Sequence, residues 1–216
     1  TKRSLDDIPL INRSNFIIPK DLKYESGPFE HQGKAVNAWC SAGFKGVLEM
    51  ATGSGKTITA MISAYNLYKK QQPLLIVVAA PYLPLIEQWC DEITPFGIQP
   101  NNMSTVSGSI ERARVLKKIS RRMRIGSSNI EALVVTHDTL CSKEFREILS
   151  AFECSKLLIA DEVHNLGRPE FINNLPVFFE YRLGLSATPI RQYDEEGTDA
   201  LFDFFGNPVF KYNLNE

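Results

Sequence analysis

The chain has 216 residues, of which 44% are hydrophobic and 23% are charged, and its formal net charge is −1. This composition is ordinary for one folded domain with a substantial core, and it excludes a protein whose whole surface attracts nucleic acid. Scattered cysteines without matching histidines argue against a zinc site or a disulfide framework. The longest apolar run, residues 74–86, is too short for a bilayer and contains Pro81 and Pro84, so we expect no membrane association.

The first predicted elements lead up to a glycine-rich turn. Residues 1–28 show no clear periodicity and are expected to be a lead-in segment that packs on the domain. Residues 30–40 have apolar positions at helical spacing, and the apolar run 46–50 predicts a strand. This strand runs into Ala51-Thr52-Gly53-Ser54-Gly55-Lys56-Thr57, after which a helix is predicted from Lys56 to about residue 70.

The glycine-rich turn has the chemistry of a phosphate-binding loop. Backbone N–H groups of such a turn and the positive end of the following helix converge on phosphate oxygens. Lys56 can reach the terminal phosphates of a nucleoside triphosphate, and the Thr57 hydroxyl can hold magnesium. The turn departs from the general pattern at Met50, where glycine is usual. A turn that merely reverses the chain is the alternative, and the strand–turn–helix context disfavours it. The nucleotide-binding residues predicted here are Thr52, Gly53, Ser54, Gly55, Lys56 and Thr57.

Strands and helices continue to alternate beyond this turn. Strands are predicted over residues 74–80, 102–106, 132–135, 156–160, 182–185 and 209–212, and helices over residues 84–93, 110–124, 138–149 and 198–205. Such alternation predicts an α/β fold whose mainly parallel central sheet has helices on both faces. Sheets of this kind bind ligands beyond the carboxyl ends of their strands, where the glycine-rich turn is also expected.

A second element of a phosphate site follows the strand predicted over residues 156–160. There the apolar run ends in Asp161-Glu162-Val163-His164. Asp161 is placed to hold magnesium, and Glu162 can orient and deprotonate a water aimed at the terminal phosphate. Together with the phosphate loop, this acidic pair predicts hydrolysis of the nucleotide. A lone histidine is more often structural than catalytic, but the position of His164 in this segment favours a coupling role.

These segments resemble the motifs of superfamily 2 helicases and translocases. Residues 51–57 look like motif I, residues 161–164 like motif II, and Ser186-Ala187-Thr188 like motif III. Glu30-His31-Gln32 resembles the adenine-reading glutamine motif, and residues 81–89 and 134–140 resemble motif Ia and a later strand-contacting motif. Residues 183–189 and 201–206 are similar to a subgroup that holds type III restriction subunits and the xeroderma pigmentosum B repair helicase.

The resemblance implies a RecA-like P-loop NTPase domain over residues 29–216, with ATP and Mg²⁺ as cofactors. It implies that Gln32 reads adenine, that Thr57 and Asp161 hold the metal, and that Lys56, Asp161 and Glu162 are catalytic. Coupling between the nucleotide and strand movement is implied for His164, Ser186 and Thr188. Contacts with nucleic acid are implied for Pro81, Tyr82, Gln88, Ser107, Gly108, Thr136 and His137.

The function implied is that of the first motor domain of a nucleic-acid-dependent ATPase. This would be a DNA helicase or translocase of the bacterial cytosol, concerned with repair, restriction or defence. A second motor domain of the same polypeptide would supply arginines to the terminal phosphate, so residues 29–216 alone are expected to turn ATP over slowly. An RNA-directed motor and an ATP-gated nucleic-acid-binding module without turnover stay open as alternatives.

Basic residues crowd the helix predicted over residues 110–124. They would give salt-sensitive binding if they contacted phosphates, but most charge runs are solvated helix faces, and we slightly favour this second interpretation. The residues are Arg112, Arg114, Lys117, Lys118, Arg121, Arg122 and Arg124.

Overall fold

The structure, a computed structural model, describes residues 15–188 and 195–213. Its centre is a seven-stranded sheet with the order β3-β4-β2-β5-β6-β1-β7, in which neighbouring strands pair in parallel. The strands are β1 (Lys45–Met50), β2 (Leu74–Ala80), β3 (Asn101–Asn102), β4 (Ile130–Thr136), β5 (Ser155–Ala160), β6 (Tyr181–Ser186) and β7 (Pro208–Tyr212). The helices are α1 (Glu30–Ser41), α2 (Lys56–Tyr68), α3 (Leu83–Ile93), α4 (Ser109–Arg124), α5 (His137–Cys141), α6 (Lys143–Ser150), α7 (Pro169–Ile172) and α8 (Glu195–Phe205).

Helices cover both faces of the sheet, and each face has its own apolar core. The residues of α1, α2 and α3 pack on one face, and those of α4 to α8 pack on the other. The central strand β2 is buried along its whole length, as expected for an apolar strand with helices above and below it. The predicted fold class is therefore confirmed.

Two predicted elements differ from the structure. The strand predicted over residues 102–106 is limited to Asn101–Asn102, because the Asn102 side chain accepts a hydrogen bond from the Ser104 amide and starts a 3₁₀ turn. The helix predicted over residues 138–149 is two helices, α5 and α6. Ser142 between them is extended, and its hydroxyl accepts a hydrogen bond from the Phe145 amide to cap α6.

The described part of the lead-in segment, residues 15–28, packs along the helices on the α2 side of the sheet. Phe16 is buried against the rings of Tyr65, Tyr68 and Phe96, and the Ile17 amide donates to the Phe96 carbonyl at 2.9 Å. Residues 1–14 of this segment lie outside the described residues. Within the described ranges, no helix is long and apolar enough to cross a membrane.

The parallel arrangement brings the chemically informative segments to one edge of the sheet. Because the strands run the same way, their carboxyl ends meet at this edge. The glycine-rich turn follows β1, Tyr82 follows β2, Asp161 follows β5, and Ser186 ends β6. Segments distant in sequence are therefore neighbours in the fold.

Candidate functional site

The glycine-rich turn forms one wall of a pocket of about 510 Å³. Gly53 and Gly55 both have a left-handed backbone conformation, with φ of +80° and +83°, and α2 begins directly after Gly55. This geometry leaves the first amides of α2 without partners within the helix, so they are available to an anion. The pocket is lined by Pro19, Leu22, Thr52, Gly53, Gly55, Lys56, Thr57, Ile58, Leu85, Gln88, Glu92, Pro95, Phe96, Asp161 and Glu162.

The lysine of the turn and the acidic pair after β5 meet in this pocket. Lys56 Nζ lies 3.4 Å from Glu162 Oε1, and the two side chains are only 12% and 27% exposed. Glu162 has the left-handed backbone angles φ 45° and ψ 53°, which are unfavourable for a residue other than glycine. This sharp turn at the end of β5 directs the Glu162 carboxylate toward Lys56.

Asp161 is held by three neighbouring groups. The Trp89 indole N–H donates to Oδ2 at 2.9 Å, and the Glu162 amide donates to Oδ1 at 2.9 Å. His137 Nε2 lies 3.0 Å from the Asp161 carbonyl. Burial raises the pKa of the Asp161 carboxyl, while the hydrogen bond from Trp89 and the charge of Lys56 act in the opposite direction. The residue is thus fixed in place by one hydrogen bond to each carboxylate oxygen and by one contact with its carbonyl.

The oxygens around Lys56 fit a magnesium nucleotide. Within residues 15–188 and 195–213, no three histidine, cysteine, aspartate or glutamate side chains are arranged to hold a metal. Thr57 and Asp161 offer a hydroxyl and a carboxylate, a short protein oxygen set that Mg²⁺ completes with phosphate oxygens and waters. Ser54 Oγ and Gln32 Oε1 are buried without a hydrogen-bond partner in the described part of the chain. Neither residue is among those that line the pocket, although Ser54 belongs to the glycine-rich turn and Gln32 adjoins it.

Gln32 lies directly against the glycine-rich turn. It is 3% exposed, and its Nε2 donates to the Ser54 carbonyl over a long 3.4 Å. The neighbouring His31 ring also bonds this carbonyl, at 2.8 Å, and stacks on Tyr212 with ring centroids 4.0 Å apart. The support given by His31 and Tyr212 was not predicted, since nothing in the sequence pairs the first helix with the last strand.

The predicted coupling residues form a chain of contacts that starts at Glu162. Its Oε2 lies 3.6 Å from His164 Nδ1, and the same nitrogen lies 2.9 Å from Ser186 Oγ. The Ser186 hydroxyl, which is fully buried, also accepts from the Thr188 amide at 3.1 Å. The structure therefore brings together the acidic pair and the end of β6. Pro189, the last residue of this similar segment, lies outside the described residues.

Most positions predicted to contact nucleic acid lie at the edge where the strands end. Tyr82 is 63% exposed at the start of α3, and Ser107 and Gly108 are exposed just before α4. Pro81 precedes Tyr82, and Thr136 caps α5 by accepting from the Thr139 amide at 3.1 Å. These positions share one edge, as the predicted contacts require.

Two of the positions predicted to contact nucleic acid lie at the same edge but have other surroundings. His137 is 2% exposed, and burial lowers the pKa of its ring to about 4. A ring buried beneath Asp161 is not accessible to a nucleic-acid strand, so the prediction that His137 contacts nucleic acid is corrected. The observed partner of the His137 ring is the Asp161 carbonyl. Gln88 lines the pocket beside the glycine-rich turn, and its side chain donates to Glu92 of the same helix at 2.7 Å.

The basic residues of α4 have mixed surroundings. Arg122 donates to both Glu131 oxygens, at 3.0 and 2.8 Å, and Arg112 donates to the Val106 carbonyl at 3.1 Å. The helix ends just before β4 begins, so Arg121 and Arg124 lie toward the edge where the strands start. This is opposite to the edge of Tyr82, which favours the solvated-face interpretation.

The chain is similar to restriction enzymes and to a helicase domain. The family model of the type III restriction enzyme res subunit matches residues 25–191. The Type I restriction enzyme EcoAI endonuclease subunit of Escherichia coli is 28% identical over an alignment of 213 residues, and the match covers 93% of this chain and 24% of that protein. The chain therefore spans about a quarter of the length of this curated relative.

Similar solved structures share the fold. One is a nuclease-deletion mutant of the Type ISP restriction-modification enzyme LlaGI in complex with a DNA substrate mimic. It has a TM-score of 0.65 and 18% identity, and the match covers 85% of this chain and 19% of that chain. Another is the Pyrococcus furiosus Hef helicase domain, with a TM-score of 0.59, 18% identity, and coverage of 86% and 37%. The chain thus has a RecA-like fold, and it belongs to the type III restriction enzyme res subunit family.

Proposed function

We propose that this chain is the ATP-binding first motor domain of a DNA-dependent ATPase that acts in restriction or defence in the bacterial cytosol. The observation that carries the proposal is the meeting of Lys56 with the Asp161–Glu162 pair in front of the glycine-rich turn. Membership of the res subunit family supports the class of enzyme. The LlaGI structure in complex with a DNA substrate mimic supports DNA as the partner.

The residues at this site have different roles in phosphoryl transfer. The amides at the start of α2 and the Lys56 ammonium hold the phosphates, and the Gln32 amide contacts adenine. Thr57 and Asp161 hold Mg²⁺, which when bound neutralises charge on the phosphate oxygens. The Glu162 carboxylate, 3.4 Å from Lys56 Nζ, orients the attacking water and accepts its proton.

The contacts from Glu162 through His164 to Ser186 transmit the difference between bound ATP and its hydrolysis products to the end of β6. A second motor domain of the parent polypeptide completes the site with arginines that reach the terminal phosphate. Such arginines contribute about a thousandfold or more to the rate of phosphoryl transfer. The domain alone therefore binds ATP and hydrolyses it slowly, and Pro81, Tyr82, Ser107, Gly108 and Thr136 contact the strand in the parent protein.

Calorimetric titration of the domain with ATP and Mg²⁺ tests the nucleotide site. Lys56→Ala should weaken binding about tenfold or more, since a charged hydrogen-bonding group contributes about 1.5–3 kcal/mol. Lys45→Ala is the matched control, because Lys45 is exposed at the start of β1, at the other edge of the sheet. Absence of ATP binding, or an equal effect of both substitutions, would overturn the proposed site.

ATP turnover by the parent protein tests the choice of nucleic acid. Single-stranded DNA, duplex DNA and RNA of the same sequence are each added to the protein at fixed ATP. Stimulation by DNA alone supports the proposal, and stimulation by RNA alone would favour an RNA-directed motor. Binding of DNA without turnover under every condition would identify an ATP-gated binding module.

A further inference from the structure

Trp89 is a buried side chain that joins α3 to the acidic pair. It is 1% exposed, and its indole N–H donates to Asp161 Oδ2 at 2.9 Å. We propose that Trp89 is a positioning residue, which holds the Asp161 carboxylate in the orientation that binds the metal of a nucleotide complex. The inference rests on the proposed function, because it concerns the metal-binding side of the same pocket.

Two donors fix the rotation of the Asp161 carboxylate. Trp89 holds Oδ2, and the Glu162 amide holds Oδ1 at 2.9 Å, so rotation about the Cβ–Cγ bond would break both bonds. Each carboxylate oxygen can accept two hydrogen bonds or metal contacts. Both oxygens therefore keep one position for Mg²⁺ or for a water that Mg²⁺ binds. An indole suits this task, since a large ring packed in a core has little freedom to move with the carboxylate.

Because Asp161 is buried, its carboxylate needs the Trp89 indole N–H as a donor in addition to the Glu162 amide. Asp161 is 7% exposed, so few water molecules can replace a lost hydrogen bond to its carboxylate. A hydrogen bond to an ionised group is about twice as strong as one between neutral groups. Without Trp89 only the Glu162 amide would hold the carboxylate, and the charge of Lys56 would draw it away from this orientation. The expected result is weaker binding of the metal without loss of the phosphate contacts.

The test replaces a single N–H group. Benzothienylalanine has the shape of tryptophan with sulfur in place of the indole N–H, and it is introduced at position 89 of the domain by codon suppression. The same replacement at Trp39 is the matched control, because the Trp39 indole N–H donates to the Arg182 carbonyl at 3.0 Å rather than to the site. Trp89→Phe is the second variant, and circular dichroism checks that each protein is folded.

The measurement is the affinity for a non-hydrolysable ATP analogue with Mg²⁺ and with EDTA. The ratio of the two dissociation constants gives the metal-dependent gain in binding. Loss of the N–H at position 89 should reduce this gain about threefold to tenfold, and affinity in EDTA should stay within about twofold. A purely structural role would weaken binding equally in both conditions. An unchanged gain at position 89, or an equal reduction at position 39, would overturn the proposal.

Tryptophan fluorescence gives an independent readout. The chain has two tryptophans, so Trp39→Phe leaves Trp89 as the sole indole. Adding Mg²⁺ to the analogue-bound domain should change the Trp89 emission, with a midpoint that matches the calorimetric metal affinity. If calorimetry shows binding of Mg²⁺ and the emission does not change, the inference fails and the nucleotide site stands. If calorimetry shows no nucleotide binding at all, the proposed function fails and the inference fails with it.

Discussion

The left-handed glycines of the phosphate loop give a matched pair of alanine substitutions. Gly53 and Gly55 have nearly the same φ, +80° and +83°, and an alanine in this region costs about 1–2 kcal/mol. A Cβ at Gly53 would meet nothing within 4 Å, whereas a Cβ at Gly55 would lie within 3.0 Å of Gln32 Nε2. The difference between the two variants therefore isolates the contact with Gln32.

The expected magnitudes follow from these surroundings. Gly53→Ala should lower the free energy of unfolding by about 1–2 kcal/mol through backbone strain alone. Gly55→Ala should lower it by about 1 kcal/mol more, because the buried Gln32 amide must move away from the Ser54 carbonyl. Urea unfolding at equilibrium measures both values, and unchanged m-values would show that the unfolded states are comparable.

Nucleotide selectivity is the second assay of this pair. The ratio of the ATP and GTP affinities cancels effects on the phosphates, which the two nucleotides share. Gly55→Ala should bring this ratio toward one, since the displaced Gln32 amide can no longer read adenine, and Gly53→Ala should leave it unchanged. If both variants show the same stability and the same ratio, the reasoning that places Gln32 against Gly55 is wrong.

Three further predictions concern single side chains. Arg122→Ala should cost about 3 kcal/mol in urea unfolding, because it leaves the buried Glu131 carboxylate unpaired, whereas the exposed Arg121→Ala should cost less than about 0.5 kcal/mol. Burial lowers the pKa of His137 from 6.5 to about 4, so its neutral ring stabilises the fold above pH 6.5 and this contribution is lost as pH falls toward 4. His137→Gln should therefore reduce the fall in the free energy of unfolding between pH 6.5 and pH 4 by about 3 kcal/mol. Urea unfolding at each pH measures this free energy through the shift of the midpoint. Glu162→Gln should lower the ATP turnover of the parent protein about a hundredfold or more and leave nucleotide binding by the domain nearly unchanged, as calorimetry would show.

The strands and most helices were predictable because their signals are local. Residues 74–80 are apolar without interruption, and the structure confirms β2 with the same limits. The position of the pocket followed from one topological rule, since parallel strands end at a common edge. Lys56 and Glu162 are 106 positions apart in sequence, and this rule sufficed to bring them together.

The direction of polar groups within the core was not predictable. Helical spacing places Trp89 inward, but it gives no information on the partner of the indole N–H, which lies on another element. His137 was expected on the surface because its segment resembles a strand-contacting motif, yet the first residue of α5 turns beneath Asp161. Gln88 faces the pocket because packing against neighbouring elements sets the rotation of α3 about its axis. The sequence of α3 alone does not show this packing.

Asp161 shows how the fold supports a charge that burial opposes. Burial and the neighbouring Glu162 raise the pKa of its carboxyl, and three groups act against them: the Trp89 indole, the Lys56 ammonium and the Glu162 amide. These groups come from α3, from the start of α2 and from the second residue after β5. A cation bound between Thr57 and Asp161 would add to the same side of this balance. The groups that oppose the rise in the pKa of Asp161 are therefore the groups that prepare it for a metal, and sequence spacing identifies Lys56 and Glu162 but not Trp89.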